Sequence, residues 1–485
     1  MHLPSDDQAQ SAIASIFKRF AVPGGCVAAV LGDATRVWVH GRGRLGEAEP
    51  VGPATTFQLA SCSKAYTAAA IATLVDRKEL GWDDLVRTHL PEFRLYDDRL
   101  SGLATLRDLL GMRLGLKGEG IMYWGRNTEL GTDVLLKRFR HFEPACGFRE
   151  RFAYFNPAYV LLTEIAQRRT GKPFAAYLKS AVLDPLGLEE TFIQEGRLEG
   201  RANHAYPHVA IDDQILPLGE ARCGGRIGES CVYSSGRDAV RWLQLHLGVG
   251  EPASKGIVSA ESLAELHRPQ SLSYGPKLLD SNFAAYCMGW SARDTPRGLL
   301  LSHDGGEFGV ATYTLMSPDH KAGVAVYLNV NRPAAARAAG HAILDLLTGA
   351  VPHDWAETWD RLFAADRLAI EKVVEATFQT DTGEDLARKD IVGTYFHPGH
   401  GVIEIVETGD ELEIRALDGW VFDTTLVPMG RGVYKGRCRY LGMESLTRRI
   451  NRVRFVCDEE GVALHTLGLG VIRKISPRHP HRQSS

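Results

Sequence analysis

The sequence predicts an α+β protein: one sheet flanked by helices, followed by a small C-terminal antiparallel β-barrel or sandwich. Three observations predict it. Strand-like runs near the start and near residues 299–329 bracket a long helical middle. The economical way to bury such runs is a single sheet that brings the two ends of the segment together, with helices covering its faces. After Ile391 the texture changes to short alternating runs between Gly-Asp and Glu-Gly turns, the pattern of a small antiparallel domain.

The elements follow in order. Residues 8–20 carry apolar side chains at helical spacing and end at Pro23-Gly24-Gly25. Cys26–Leu31 and Arg36–His40 read as two strands joined by a short turn. Gly41-Arg42-Gly43-Arg44-Leu45-Gly46 matches G-x-G-x-x-G after a strand, but a loop with Pro50 and Pro53 follows where a dinucleotide site needs a helix, so it reads as a turn. Residues 61–74 are Ala-rich and apolar on most faces, which describes a buried helix. Further helices are expected at 105–116, 158–169, 173–182, 236–247 and 334–347, and strands at 299–303, 310–316 and 322–329. Residues 351–387 read as a helical connection carrying Trp355 and Trp359 at i,i+4. In the last part Val402–Val406, Glu411–Arg415, Arg452–Val456 and Val462–Leu467 read as strands. The expected organisation is therefore 1–350, a linker 351–387, a β domain 388–476 and a disordered tail 477–485.

Composition excludes several classes. A chain of 485 residues is too long for one ordinary core. A net charge of −3 calls for neither nucleic acid nor an anionic membrane as partner. The eight cysteines are scattered without a C-x-x-C pair, so neither a disulfide scaffold nor a zinc site is expected, and reduced thiols are. No run approaches the ~20 apolar residues of a transmembrane helix. The N-terminus lacks a basic start followed by an apolar core, so a cytoplasmic location is expected.

Chemistry is concentrated at three places. Ser61-Cys62-Ser63-Lys64 opens the buried helix; positions i and i+3 share a face, so Lys64 can reach Ser61. A desolvated ammonium gives up its proton more easily, which supplies a nucleophile and its base in one turn. The helix start also offers amides for an oxyanion. Ser63 has Tyr66 three places on and should face elsewhere. The pattern S-x-x-K alone is expected about once or twice by chance in a chain this long. Tyr154-Phe155-Asn156 precedes an apolar helix, with both polar side chains facing one way; the phenol suits proton shuttling, while the plain alternative is a loop tyrosine and a helix-capping asparagine. His303-Asp304-Gly305-Gly306 ends an apolar strand, where glycines allow close approach.

S-x-x-K, Y-x-N and H-x-G in that order resemble the serine β-lactamase and penicillin-binding-protein superfamily. The likeness covers about residues 10–350 and is strongest to class C β-lactamases, D-alanyl-D-alanine carboxypeptidases, family VIII esterases and D-aminopeptidases. Thr56–Ala65, Leu106–Leu116, Leu183–Leu188 and Gly224-Gly225 through Asp238 support it. The resemblance implies a β-lactamase/transpeptidase-like antiparallel sheet, and the last domain is similar to the lipocalin-like barrel appended to many members. It implies Ser61 as the acylated nucleophile, Lys64 and Tyr154 as proton carriers, Asn156 as a ligand for a substrate amide and His303 as the far wall of the cleft. Gly305 would lie along the substrate, and the amides of Ser61 and Gly306 would form the oxyanion hole. Neither metal nor cofactor is implied. His303 stands where class C β-lactamases have lysine, which argues against efficient β-lactam hydrolysis. Asp304 replaces the usual threonine and would repel a substrate carboxylate if it faced the cleft.

Three activities fit. The first is hydrolysis of a small-molecule or peptide-like ester or amide. The second is acyl transfer or cyclisation, as in penicillin-binding-protein-type thioesterases, with a carrier-protein-bound or otherwise activated peptide as donor. In that case Arg437, Arg439, Arg448 and Arg449 of the barrel could bind an acceptor carboxylate. The third, an inactive binding protein, is disfavoured by the retention of every motif residue.

Overall fold

The structure is a computed structural model. It describes residues 3–116, 131–194, 198, 202–211, 214–219, 227–273, 281–307, 309–378, 386–416, 424–438, 452–466 and 470–475. The expected tail at 477–485 and the pair Gly224-Gly225 lie outside these residues.

Continuous apolar runs at the centre and half-buried strands outside them build an eight-stranded antiparallel sheet. From one edge its order is Ala34–Gly41, Gly24–Leu31, Ala322–Leu328, Val310–Ser317, Gly298–Glu307, Ser291–Thr295, Phe283–Tyr286 and Ser271–Ser273. The ends of the segment meet as expected, with Val27 opposite Val326 and Ala29 opposite Val324. Gly24–Leu31 is buried along its whole length, because both faces of the sheet are covered. Val27, Ala29, Val324 and Val326 face the helices Asp6–Arg19, Pro333–Thr348 and Trp355–Phe378. Ala28, Val30, Leu301 and Met316 face the helical middle. Each such buried aliphatic side chain contributes about 1.5–3 kcal/mol.

The middle is organised around the helix Ser63–Asp76, twelve of whose fourteen residues are buried. Its alanines combine high helix propensity with the small size that lets neighbours approach closely. Tyr66 stacks on Trp242 at 3.8 Å between centroids, tying this helix to Gly236–Leu247. The helix expected over 105–116 stops at Leu110. A Thr105–Asp108 capping box starts it, Gly111 caps it, and Met112 takes a left-handed φ of 53°. The fully buried Asp108 carboxylate then holds Arg113 and Arg149, which turns the chain away.

The expected linker contains the helix Trp355–Phe378, and it packs rather than spans. The His341 ring stacks against Trp355 (4.5 Å) and Trp359 (5.5 Å). Beyond it, eight strands from Gly393–His397 to Gly470–Lys474 form a closed barrel, sealed by the pairing of Tyr395 with Lys474. Tyr395, Ile405, Leu412, Phe455 and Leu464 fill it. Four of its strands match the expected ones. Of the other four, Thr424–Gly430 and Val433–Cys438 escaped notice because Pro428 and Gly436 interrupt their alternation, and the five-residue strands Gly393–His397 and Gly470–Lys474 also went unread. Among the cysteines, Cys26, Cys62, Cys146, Cys287 and Cys457 are free as expected. Cys231 is a correction: it is disulfide-bonded, a pairing that scattered spacing does not reveal. Among the described residues no helix is long and apolar enough to cross a membrane.

Candidate active site

Ser61 stands at a joint. The short strand Thr56–Gln58 pairs with Val232–Ser235, and the chain then breaks direction at Ala60, whose φ is +47°. A non-glycine residue there is strained, and such strain persists only where packing enforces it. Ala60–Cys62 form a 3-10 turn that runs into Ser63–Asp76. Ser61 is thus half-buried just ahead of the α-helix rather than inside it. Lys64 is completely buried, and its Nζ donates to Ser61 Oγ (3.2 Å) and to the Glu229 carbonyl (2.9 Å). The rings of Tyr154 and Tyr159 lie 5.0 and 5.7 Å from that nitrogen, within cation–π range. Ser63 faces elsewhere, as its spacing predicts: its Oγ accepts the Val232 amide.

Asn156 precedes the helix Pro157–Thr170 but does not cap it. Its side chain makes no capping bond, and its Oδ1 is buried without a hydrogen-bond partner. The capping alternative is therefore set aside. A buried, unsatisfied acceptor is costly unless a ligand uses it. Tyr154 is partly buried, with its hydroxyl beside Ser61. Burial pushes the phenol up from its usual value, and the Ser61 hydroxyl opposes this, so the phenol stays protonated at neutral pH. Phe155 between them anchors the segment against Phe139 (5.2 Å) and Phe142 (5.7 Å). On the other side of Phe142 sits His400 of the barrel, at 5.8 Å. The barrel therefore abuts the wall that carries Tyr154 and Asn156.

His303 and Asp304 lie on opposite faces of the strand Gly298–Glu307, as alternation demands. His303 Nδ1 lies 2.7 Å from the Asp304 carbonyl, which can only accept; Nδ1 carries the proton and Nε2 accepts from the Tyr286 hydroxyl at 3.0 Å. Burial, reinforced by Lys64, pushes the imidazole down to about 4, so it is neutral at pH 7. Asp304 points away from the cleft and is held bidentate by Arg337 (2.6 and 2.7 Å). It is not placed to repel a substrate carboxylate there. A Cβ at Gly305 would lie 2.1 Å from the Leu59 carbonyl, so glycine is what lets the strand approach the Ser61 turn. Gly306 is exposed, with open space where its Cβ would be. Two bonds stitch strand to turn: Thr312 Oγ1 donates to the Leu59 carbonyl (2.8 Å) and Cys62 Sγ to the His303 carbonyl (3.2 Å).

Tyr286, Ala60 and the Glu229 carbonyl were not found from sequence. Tyr286 lies in Phe283-Ala-Ala-Tyr286, which carries no motif; Ala60 acts through its backbone angle and Glu229 through its carbonyl, neither of which side-chain identity encodes. Arg437 falls in the strand Val433–Cys438, while residues 439, 448 and 449 lie outside the described residues. Among the described residues no three His, Cys, Asp or Glu side chains cluster to hold a metal.

A covered antiparallel sheet, with a serine–lysine pair where the buried central helix begins, defines the class of the serine β-lactamases and penicillin-binding proteins. The beta-lactamase family model matches residues 13–348, and the chain belongs to that family. It is similar to the unguisins hydrolase ungD of Aspergillus violaceofuscus, 24% identical over 446 residues, covering 83% of this chain and 77% of the relative. It is also similar to penicillin-binding protein 4* of Bacillus subtilis, 28% identical over 320 residues; the match takes in 61% of this chain and 66% of that relative. In fold it is similar to the octameric penicillin-binding protein homologue from Pyrococcus abyssi (TM-score 0.63, 20% identity, 97% of this chain and 100% of that one). The class C beta lactamase from Rhodobacter sphaeroides gives a TM-score of 0.59 at 21% identity, over 70% of this chain and 98% of that one. Family and relatives make this a serine hydrolase-type enzyme.

Proposed function

We propose that the protein hydrolyses an ester or amide bond of a peptide-like substrate through an acyl-enzyme on Ser61. The observation that carries this reading is the 3.2 Å contact between the buried Lys64 Nζ and Ser61 Oγ, a distance at which a base takes a proton directly. Ser61 Oγ attacks the carbonyl carbon as Lys64 takes the hydroxyl proton. The tetrahedral oxyanion is received by the backbone amides of Ser61 and Gly306. Tyr154, protonated beside Ser61, passes a proton to the departing oxygen or nitrogen and is reprotonated from Lys64. Water then attacks the acyl carbon as Lys64 takes its proton; the ester to Ser61 breaks, and Lys64 returns the proton to Ser61 Oγ, releasing the acid. The unpaired Oδ1 of Asn156 accepts an N–H from the acyl part, which favours amide-containing, peptide-like substrates. Gly305 keeps the strand close, and the neutral His303 forms the far wall without adding positive charge. One relative is a hydrolase of unguisins, which is consistent with hydrolysis.

Labelling the whole chain with a fluorophosphonate and locating the adduct by intact mass and peptide mapping tests the nucleophile. An adduct on Ser61, lost in Ser61→Ala, is expected; folded protein that stays unlabelled refutes the assignment. Product analysis with a p-nitrophenyl ester and a thioester-activated peptide, with and without added amine, tests the acceptor. Free acid is expected in both cases. Predominant amide or cyclised product would establish acyl transfer instead.

A further inference from the structure

A second polar cavity, of about 120 Å³, lies on the face of the sheet away from Ser61. The strand Gly298–Glu307 turns Leu300, Ser302 and Asp304 towards it, and the helices Pro333–Thr348 and Trp355–Phe378 close it with Arg337, His341 and Trp359. Two features there serve neither the fold nor the reaction. Trp359 is 4% exposed, and its indole Nε1 has no hydrogen-bond partner. Arg293 uses one hydrogen bond, to Ser281 Oγ at 3.0 Å, and has no ion-pair partner among the described residues. Burial pulls its guanidinium down from its usual value; Tyr313 and Asp304 oppose this and Arg337 reinforces it. An indole N–H and a guanidinium can only donate. A buried donor without an acceptor costs stability unless a ligand supplies one, which applies to the Trp359 indole N–H; the half-buried Arg293 brings the charge.

The charge balance points the same way. Arg337 is neutralised by Asp304 and packs its guanidinium over the rings of Trp359 (4.6 Å) and Phe363 (5.2 Å). His341 is pushed down to about 3 by burial and by the surrounding arginines, so it adds no charge at pH 7. Two cations face one carboxylate, leaving one positive charge, on Arg293. The volume lies below the ~150 Å³ that accommodates benzene. It suits a ligand of a few heavy atoms bearing one anionic acceptor group.

We infer that this cavity is a binding site for a small monocarboxylate, held by Arg293 and the Trp359 indole N–H. The inference stands apart from the proposed reaction at Ser61, since neither Arg293 nor Trp359 takes part there, although Tyr286, which holds His303, also lines the cavity. The site is nonetheless one residue from the cleft wall: the Asp304 side chain faces the cavity, and the Asp304 carbonyl holds His303.

The test is a fluorine NMR titration of the full-length protein with trifluoroacetate, followed by competition with acetate, propionate and chloride. Saturable millimolar binding, displaced by acetate or propionate and preserved in Ser61→Ala, is expected. Arg293→Gln should weaken it roughly 10- to 100-fold, the worth of a charged hydrogen bond. Trp359→Phe, which keeps an aromatic ring, should weaken it roughly 2- to 10-fold by removing one neutral donor. It decides the matter should Arg293→Gln fail to fold. Absence of saturation up to about 50 mM, far above the millimolar range of such weak complexes, would overturn the site. Binding unchanged in the folded variants would do the same. Displacement by chloride as effective as by acetate would overturn the carboxylate assignment in favour of a general anion site.

Discussion

Replacing Gly305 by alanine probes how closely the His303 strand must lie against the Ser61 turn. The added Cβ would sit 2.1 Å from the Leu59 carbonyl oxygen and 2.0 Å from Thr312 Oγ1, about 1 Å inside the 3.0 Å that real contacts keep. Neither neighbour is the free end of a flexible chain. Leu59 precedes the strained Ala60, and Thr312 Oγ1 is bonded to the same carbonyl. The strand and the turn must therefore part. Overpacking of this kind costs about 1–3 kcal/mol, and loss of the Thr312 bond adds about 1 kcal/mol. We expect Gly305→Ala to lose about 2–4 kcal/mol in chemical denaturation. A displacement near 1 Å between a nucleophile and its partners lowers turnover about 100-fold. The assay is p-nitrophenyl ester hydrolysis together with the rate of fluorophosphonate labelling, measured on protein shown to be folded. Gly306→Ala is the control: it meets nothing within 4 Å and should stay within about 0.5 kcal/mol of the parent. Gly305→Ala with parental stability and turnover would refute the close approach.

Other perturbations separate the roles of individual groups. Lys64→Ala should lower kcat by about 100- to 10,000-fold, the usual contribution of a positioned base; turnover close to the parent's, in folded protein, would show that another group takes the Ser61 proton. Tyr286→Phe removes the hydroxyl that donates to His303 Nε2 and leaves a buried acceptor unpaired. It should cost about 1–3 kcal/mol in denaturant titration, and an unchanged midpoint would place the donor elsewhere. The buried histidines set the acid behaviour. His303 is pushed from 6.5 down to about 4, so between those values the unfolded chain binds a proton that the native state does not. Stability is then fully present above pH 6.5 and falls as pH drops towards 4, by about 3 kcal/mol for this residue. His303→Asn should flatten that slope in denaturation curves taken from pH 7 to pH 4; an unaltered slope would mean the imidazole is not held neutral.

Much of the fold was legible because it rests on periodicity. The apolar strand runs at residues 26–40 and 299–329, the alanine-rich helix after Ser61 and the turn-punctuated C-terminal strands each mark an element that must be buried. Elements failed to show where backbone conformation outweighed side-chain pattern. The helix after Thr105 ends six residues early because Gly111, Met112 and the Asp108–arginine cluster redirect the chain. Two of the barrel strands hide behind Pro428 and Gly436. At the candidate site, Ser61, Lys64, Tyr154, Asn156 and His303 could be singled out because the proposed chemistry calls for those residue types at those spacings. Tyr286 was invisible because it belongs to no local spacing.

The sequence by itself determined the two kinds of architecture, the family and the candidate nucleophile with its lysine. These depend on separations of one to four residues, which helix and strand geometry convert directly into shared faces. Only the tertiary structure decided that Asp304 turns its back on the cleft to pair with Arg337, that Asn156 keeps an uncommitted acceptor, and that His303 is neutral on the Tyr286 hydroxyl. Each of these depends on groups brought together from distant parts of the chain. Burial then sets their protonation and hydrogen bonding, and burial is a property of the packed molecule rather than of any segment of it.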